Sequence, residues 1–154
     1  MTNFIATVSM LIHAPRPVVW RALTEPGLIK QYFFGTDVIT TWQVGSPIRF
    51  SGSWEGKAYE DKGSILHFEP EREIRFDYFS SWSGQEDSPG NRQVITYRVT
   101  EQSGATLLLV QQENCPSEEA RLHSEENWRG VLNGLRELSE KIQSSTKGYG
   151  QNDN

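Results

Sequence analysis

Three histidines, His13, His67 and His123, are the first residues to test for chemistry, since a metal site would need them to converge with a carboxylate. Zinc sites take their ligands at short spacing or one helical turn apart, and none of the three has such a companion. They read as polar residues on strand ends and a helix surface, so no metal or cofactor is expected. Ser9, Ser51, Ser53 and Ser64 lack a glycine elbow and an evident histidine partner, which leaves a nucleophilic triad unsupported. Glu118, Glu119, Glu125 and Glu126 gather where the positive end of a helix favours negative charge. Glu60-Asp61-Lys62 reads as a solvated strand or turn. No catalytic residue is assigned, and an enzyme is not the leading expectation.

The aromatic residues carry more. Tyr32, Phe33, Phe50, Trp54, Tyr59, Phe76, Tyr78, Tyr97 and Trp128 fall on segments that would surround a cavity, joined there by Leu132 and Leu135. Rings supply apolar walls, and tyrosine hydroxyls and tryptophan N–H groups can orient the polar end of a ligand. The same residues could simply fill a core, and for any one of them the core is the ordinary place.

These side chains must be held by a sheet and a helix. Trp128, Val131, Leu132, Leu135, Leu138 and Ile142 recur at three- and four-residue steps, which puts them on one side of a helix over residues 117–142. Each could contribute ~1.5–3 kcal/mol if fully buried. Ser117 can cap that helix after Pro116 stops the preceding strand. Residues 3–13 read as a first strand closed by Pro15 and Pro17, with a short helix at Val18, Val19, Trp20, Ala22 and Leu23. A second short helix follows, capped by Thr24 with Pro26 in its first turn, and Gly35 ends it.

Strands are expected at 38–41, 48–54, 59–68, 73–79, 92–101 and 106–113. Turns fall at Gly45-Ser46-Pro47, Glu55-Gly56 and Gln102-Ser103-Gly104-Ala105. Residues 80–91 read as a polar loop holding Trp82. Gly130 and Gly134, four apart beside the apolar stripe, admit a neighbouring strand closely or leave room for a ligand, with close packing preferred. The fold class is α+β: one antiparallel sheet covered by a long C-terminal helix, a single domain over 1–143, and a disordered tail over 144–154.

Composition narrows the function classes. The chain has 154 residues, 36% hydrophobic and 23% charged, a balance that suits a globular domain. Its net charge of −5 argues against nucleic acid. The longest apolar run, Leu107-Leu108-Leu109-Val110, falls far short of the ~20 residues of a membrane span. The start, Met1-Thr2-Asn3-Phe4, lacks the features of a signal peptide, and Cys115 is the single cysteine, so a cytoplasmic location is expected. In the segment 106–113, alternation would turn Leu108 and Val110 towards the helix and Leu107 and Leu109 outward. There they are either ordinary surface or a patch covered by a second subunit in a homodimer.

The opening Ile12-His13-Ala14-Pro15-Arg16-Pro17-Val18-Val19-Trp20-Arg21-Ala22-Leu23-Thr24-Glu25-Pro26 resembles the start of SRPBCC proteins, the START-like superfamily. Within it, the chain is most similar to the branch named for homology to the activator of the ninety-kilodalton heat-shock chaperone's ATPase. Trp42 to Phe50 resembles that branch's strand–turn–strand, with Ser46 in place of the second turn glycine. Gly63 to Pro70, Ile74-Arg75-Phe76, Gly104-Ala105-Thr106 and the Trp128, Leu132, Leu135 helix complete the pattern.

The resemblance implies a helix-grip fold, a curved sheet wrapped around a long helix with a cavity between. It implies no one activity, because fold does not settle function. The leading expectation is a small hydrophobic or amphipathic organic ligand bound in that cavity without a cofactor. A protein-interaction or chaperone co-factor role is the alternative. Chaperone activators of this family also carry a separate N-terminal domain, which is expected to be absent here. A cyclase or dehydratase, working by cavity shape and one or two polar groups, comes third.

Overall fold

A computed structural model describes residues 4–80 and 86–152, with the side chains of residues 54, 89 and 146–152 left out; Trp82 lies outside the described residues. The elements run β1 (Phe4–Ile12), α1 (Arg16–Thr24), α2 (Pro26–Tyr32), β2 (Asp37–Ile39), β3 (Pro47–Trp54), β4 (Lys57–Glu69), β5 (Glu73–Tyr78), a 3₁₀ turn (Pro89–Asn91), β6 (Gln93–Gln102), β7 (Ala105–Cys115) and α3 (Glu118–Asn152). The seven strands form one sheet in the order β1-β7-β6-β5-β4-β3-β2, antiparallel throughout. This is the helix-grip arrangement that the sequence led us to expect, with two short helices after the first strand.

Local chemistry sets the boundaries. Pro15 occupies the N-cap of α1, and Pro17 falls in its first turn, where no N–H is missed. The cap of α2 is Glu25 rather than the expected Thr24, and it makes no side-chain capping bond. Pro26 forces the residue before it into an extended conformation (φ −85°, ψ 118°), so the break falls one position later. Thr24 instead ends α1, its hydroxyl donating to the Trp20 carbonyl at 2.8 Å. At Glu55-Gly56 and Ser103-Gly104 both residues of a two-residue hairpin loop have positive φ, 50° and 81° in the first and 49° and 85° in the second. That geometry matches the right-handed twist of the flanking strands.

Ser117 caps α3 as expected, accepting a hydrogen bond from the Ala120 N–H at 3.1 Å. The helix does not stop at Ile142. It continues to Asn152, across the stretch from Ser144 where the sequence predicts a disordered tail. Trp128, Val131, Leu132 and Leu135 are buried against the sheet. On the flank of the same helix, Glu125 accepts from the Thr7 N–H at 3.0 Å and Glu140 from the His13 N–H at 2.9 Å. Both donors belong to β1 or its end. The glutamates thus cover an edge strand that would otherwise offer its backbone to another chain.

Alternation in β7 holds. Leu108 and Val110 are fully buried, while Leu107 and Leu109 lie partly exposed on the outer face. The two helix glycines behave differently from each other. A Cβ on Gly130 would meet nothing within 4 Å, whereas one on Gly134 would stand 3.1 Å from Tyr32 Cβ. Gly134 therefore marks a close approach to α2, not to a strand, and Gly130 marks neither packing nor a pocket wall.

β4 serves two partners. Its first part pairs with β3 and its last part with β5, and Gly63 lies beside the junction of the two pairings. There the Asp77 backbone lies so close that a Cβ would fall 1.8 Å from its carbonyl oxygen. The inner faces of β3 to β7 look here onto an open space beside the N-terminal part of α3.

Candidate functional site

That space is a cavity of about 680 Å³ between the inner face of β3 to β7, the turn after α2, and the first half of α3. Inward positions of the strands supply Phe50, Tyr59, Asp61, Phe76, Tyr78, Ile95, Tyr97 and Gln112. From α3 come His123, Ser124, Asn127, Trp128 and Val131, spaced so that they share one face. Phe33, Phe34 and Thr36 close the side nearest α2.

Five rings make a closed circuit in this wall. Centroid separations are 6.1 Å for Trp128–Phe33, 6.5 Å for Phe33–Phe50, 5.7 Å for Phe50–Phe76, 5.9 Å for Phe76–Tyr97 and 5.8 Å for Tyr97–Trp128. All lie in the range where tilted and edge-to-face aromatic pairs attract. Trp128 is fixed further by its indole N–H, which donates to Gln112 Oε1 at 2.8 Å. Gln112 in turn donates to Gln93 Oε1 at 2.6 Å.

The polar groups gather at the other end. The Tyr78 hydroxyl donates to the Asp61 carboxylate, and the Tyr59 hydroxyl is bonded to Thr36. Tyr59 reaches that position by leaning across Gly52, where a Cβ would stand 2.7 Å from its hydroxyl oxygen. Burial pushes the Tyr78 phenol far above its ordinary value, and its bond to Asp61 pushes it the same way. Burial also raises Tyr97. Both phenols remain protonated at neutral pH and act as neutral hydrogen-bonding groups.

The candidate residues separate accordingly. Phe33, Phe50, Tyr59, Phe76, Tyr78, Tyr97 and Trp128 line the cavity. Tyr32, Leu132 and Leu135 do not. Leu132 and Leu135 are buried in the core, and the part of α3 that lines the cavity runs from His123 to Val131. Tyr32 points its hydroxyl to the Ala22 carbonyl at 2.8 Å, tying α2 to α1. The side chain of Trp54 lies outside the described residues.

Sequence reasoning missed the polar members. Asp61, read there as solvated, is only 9% exposed. Strand alternation carried the signal: Tyr59, Asp61, Gly63 and Ile65 share a face, as do Thr106, Leu108, Val110 and Gln112. His123 sits on the exposed rim of the cavity. Among the described residues, no group of His, Cys, Asp and Glu could hold a metal ion.

With fold and cavity in view, comparison with known proteins is informative. The profile of the family described as Activator of Hsp90 ATPase homolog 1-like protein matches residues 13–140. The chain belongs to this family. Among solved structures of like fold, ChR145 from Cytophaga hutchinsonii is 41% identical, with 91% of this chain and 96% of that one aligned at a TM-score of 0.79. DynU16, from the dynemicin biosynthetic locus, is 20% identical at a TM-score of 0.74; 91% of this chain covers 48% of it, about half its length. An Aha1 protein from Colwellia psychrerythraea, described as a dimer, is 17% identical over 91% of this chain and 97% of that one, at a TM-score of 0.70. No curated protein matches the chain.

Proposed function

We propose that the chain binds a small apolar or amphipathic organic molecule in the cavity between sheet and α3. The observation that carries this reading is the aromatic circuit around an open space of about 680 Å³. Ligand sites of globular proteins run to about 300–1,000 Å³, mostly apolar with a few polar groups placed to orient the occupant. Apolar burial supplies the affinity, and Tyr59, Tyr78, Tyr97 and Asp61 set the orientation. The origin of DynU16 in a biosynthetic locus supports an organic metabolite as the occupant. A reducing cytoplasm suits the free, buried thiol of Cys115, and no helix among the described residues is long and apolar enough to cross a membrane.

A thermal-shift screen of lipids, aromatic metabolites and polyketide-like compounds tests the reading. A true ligand at about a hundred times its Kd adds ~2.7 kcal/mol, which raises Tm by about 5–10 °C for a chain of this size. Val131→Trp, which fills the cavity from its α3 wall, is expected to abolish that rise. No stabilisation by any hydrophobic compound would sink the reading.

The outer face of β1 and β7 completes the picture of partners. Leu11, 41% exposed, stands opposite Leu107, and Ile5 is 40% exposed on the same strand. We read this face as the seat of a second copy, a reading supported by the dimer described for the Colwellia protein. Replacing Leu107 and Leu109 by Lys is expected to halve the molar mass measured by light scattering. A parent chain that is monomeric at high concentration would refute it.

A further inference from the structure

The polar end of the cavity has a sign, and the sign selects an occupant. Asp61 is buried in the wall, its carboxylate receiving the Tyr78 hydroxyl. Lys62, the next residue, belongs to the opposite face of β4 and pairs there with Asp87 at 3.1 Å. Among the described residues the lining contains no lysine and no arginine. Its other polar members are the uncharged Thr36, Tyr59, Tyr78, Ser80, Tyr97, Gln112, Ser124 and Asn127, together with His123, which stands on the exposed rim.

A carboxylate accepts hydrogen bonds and cannot give them, and its two oxygens offer about four lone-pair sites. From these observations we infer that the cavity selects a ligand whose polar head donates hydrogen bonds, an amine above all or a hydroxyl, and discriminates against a carboxylic acid. The inference rests on the ligand-binding reading above and names its chemical class.

The physics is direct. An ammonium head against Asp61 forms a charge-assisted bond in a space with little water to screen it. A hydroxyl head forms the same bond with one charged partner. A carboxylate head brings two like charges together, so it must stay outside or take up a proton before it enters. Tyr78 does not reverse this order, because its one proton is committed to Asp61 and it can offer an incoming anion nothing more.

The test uses decylamine, decanol and decanoic acid below their micelle concentrations, at neutral pH, titrated by calorimetry against the full chain. Decylamine is expected to bind at least about tenfold tighter than decanoic acid, with decanol between them. Asp61→Asn is expected to bring amine and acid within about threefold of each other, with decanol weakened less than the amine. In Tyr78→Phe, which retains the carboxylate, the preference for the amine should persist, and this variant serves if Asp61→Asn does not fold. Acid binding as tight as amine binding in the parent chain overturns the head-group inference and leaves ligand binding standing. So does an amine preference that survives Asp61→Asn unchanged. If none of the three binds, the ligand-binding reading falls and takes this one with it.

Discussion

Gly63→Ala is expected to lower folding stability by about 3 kcal/mol, a drop in Tm of about 6–12 °C, from the addition of a single methyl group. The new Cβ would lie 1.8 Å from the Asp77 carbonyl oxygen and 2.8 Å from its carbon. Both are backbone atoms, so no rotamer change can relieve the clash, and β4 must separate from β5. The separation breaks more than a contact. Asp77 Oδ1 accepts from the Ser64 N–H at 2.8 Å and from Arg92 Nη1 at 2.9 Å, and the strand pair Lys62–Phe79 lies alongside. Asp61 and Tyr78 flank the same point, so the polar end of the cavity would distort with it. Gly130→Ala is the control, since its Cβ would meet nothing within 4 Å and a helical alanine gains up to ~1 kcal/mol over glycine. Urea unfolding of the two variants should therefore move in opposite directions. A Gly63→Ala midpoint at the parent value would show that the close approach of Asp77 to Gly63 is not there.

Gly63 also shows where the sequence stops being legible. Alternation in β5 and β7, the proline stops and the glycine turns are local signals, and each produced an element close to its observed place. The helix stripe from Trp128 to Leu135 was equally plain, as was the capping Ser117. Nothing local says that β4 changes partners halfway along, because that depends on the approach of Asp77, fourteen positions downstream. The junction of those pairings sets which β4 residues share the inner face with Phe50 and Phe76 around the hollow. Without it, apolar residues along the whole helix appear equally able to face a ligand. Leu132 and Leu135 belong to that stripe, but both are buried in the core beyond the stretch of α3 that lines the cavity.

The polar residues failed for a different reason. Asp61 sits between Glu60 and Lys62, and a run of three charged residues reads as solvated. Alternation with Tyr59 and Ile65 held the contrary signal, and the pairing of β4 with β3, which puts Asp61 opposite Phe50, shows that the carboxylate shares the inner face. Tyr32 misled in the opposite sense. Its ring belongs to the right neighbourhood, but the carbonyl of Ala22, ten residues earlier in α1, claims its hydroxyl. Aromatic residues were thus good markers of the region and poor markers of the wall.

Trp128 is the residue on which fold and candidate site both lean, and two substitutions should separate its contributions. Trp128→Ala is expected to cost about 3–5 kcal/mol, since the side chain is buried and closes the aromatic circuit between Phe33 and Tyr97. Trp128→Phe keeps a ring in that place and loses the indole N–H that donates to Gln112, at an expected cost of about 1–2 kcal/mol. Part of the second cost comes from Gln112, whose Oε1 is left on the cavity wall without its donor. A ligand with a donor head can repair that loss by bonding to Gln112, whereas no small head group can replace the missing ring. Binding should therefore weaken more in Trp128→Ala than in Trp128→Phe, and by more than their stabilities predict. Far-UV circular dichroism in urea is the proper measurement, because it does not depend on the fluorophore being removed. Equal unfolding midpoints for the two variants would mean that the ring circuit adds nothing beyond the hydrogen bond, and the aromatic wall would then be a lining of the space without being its support.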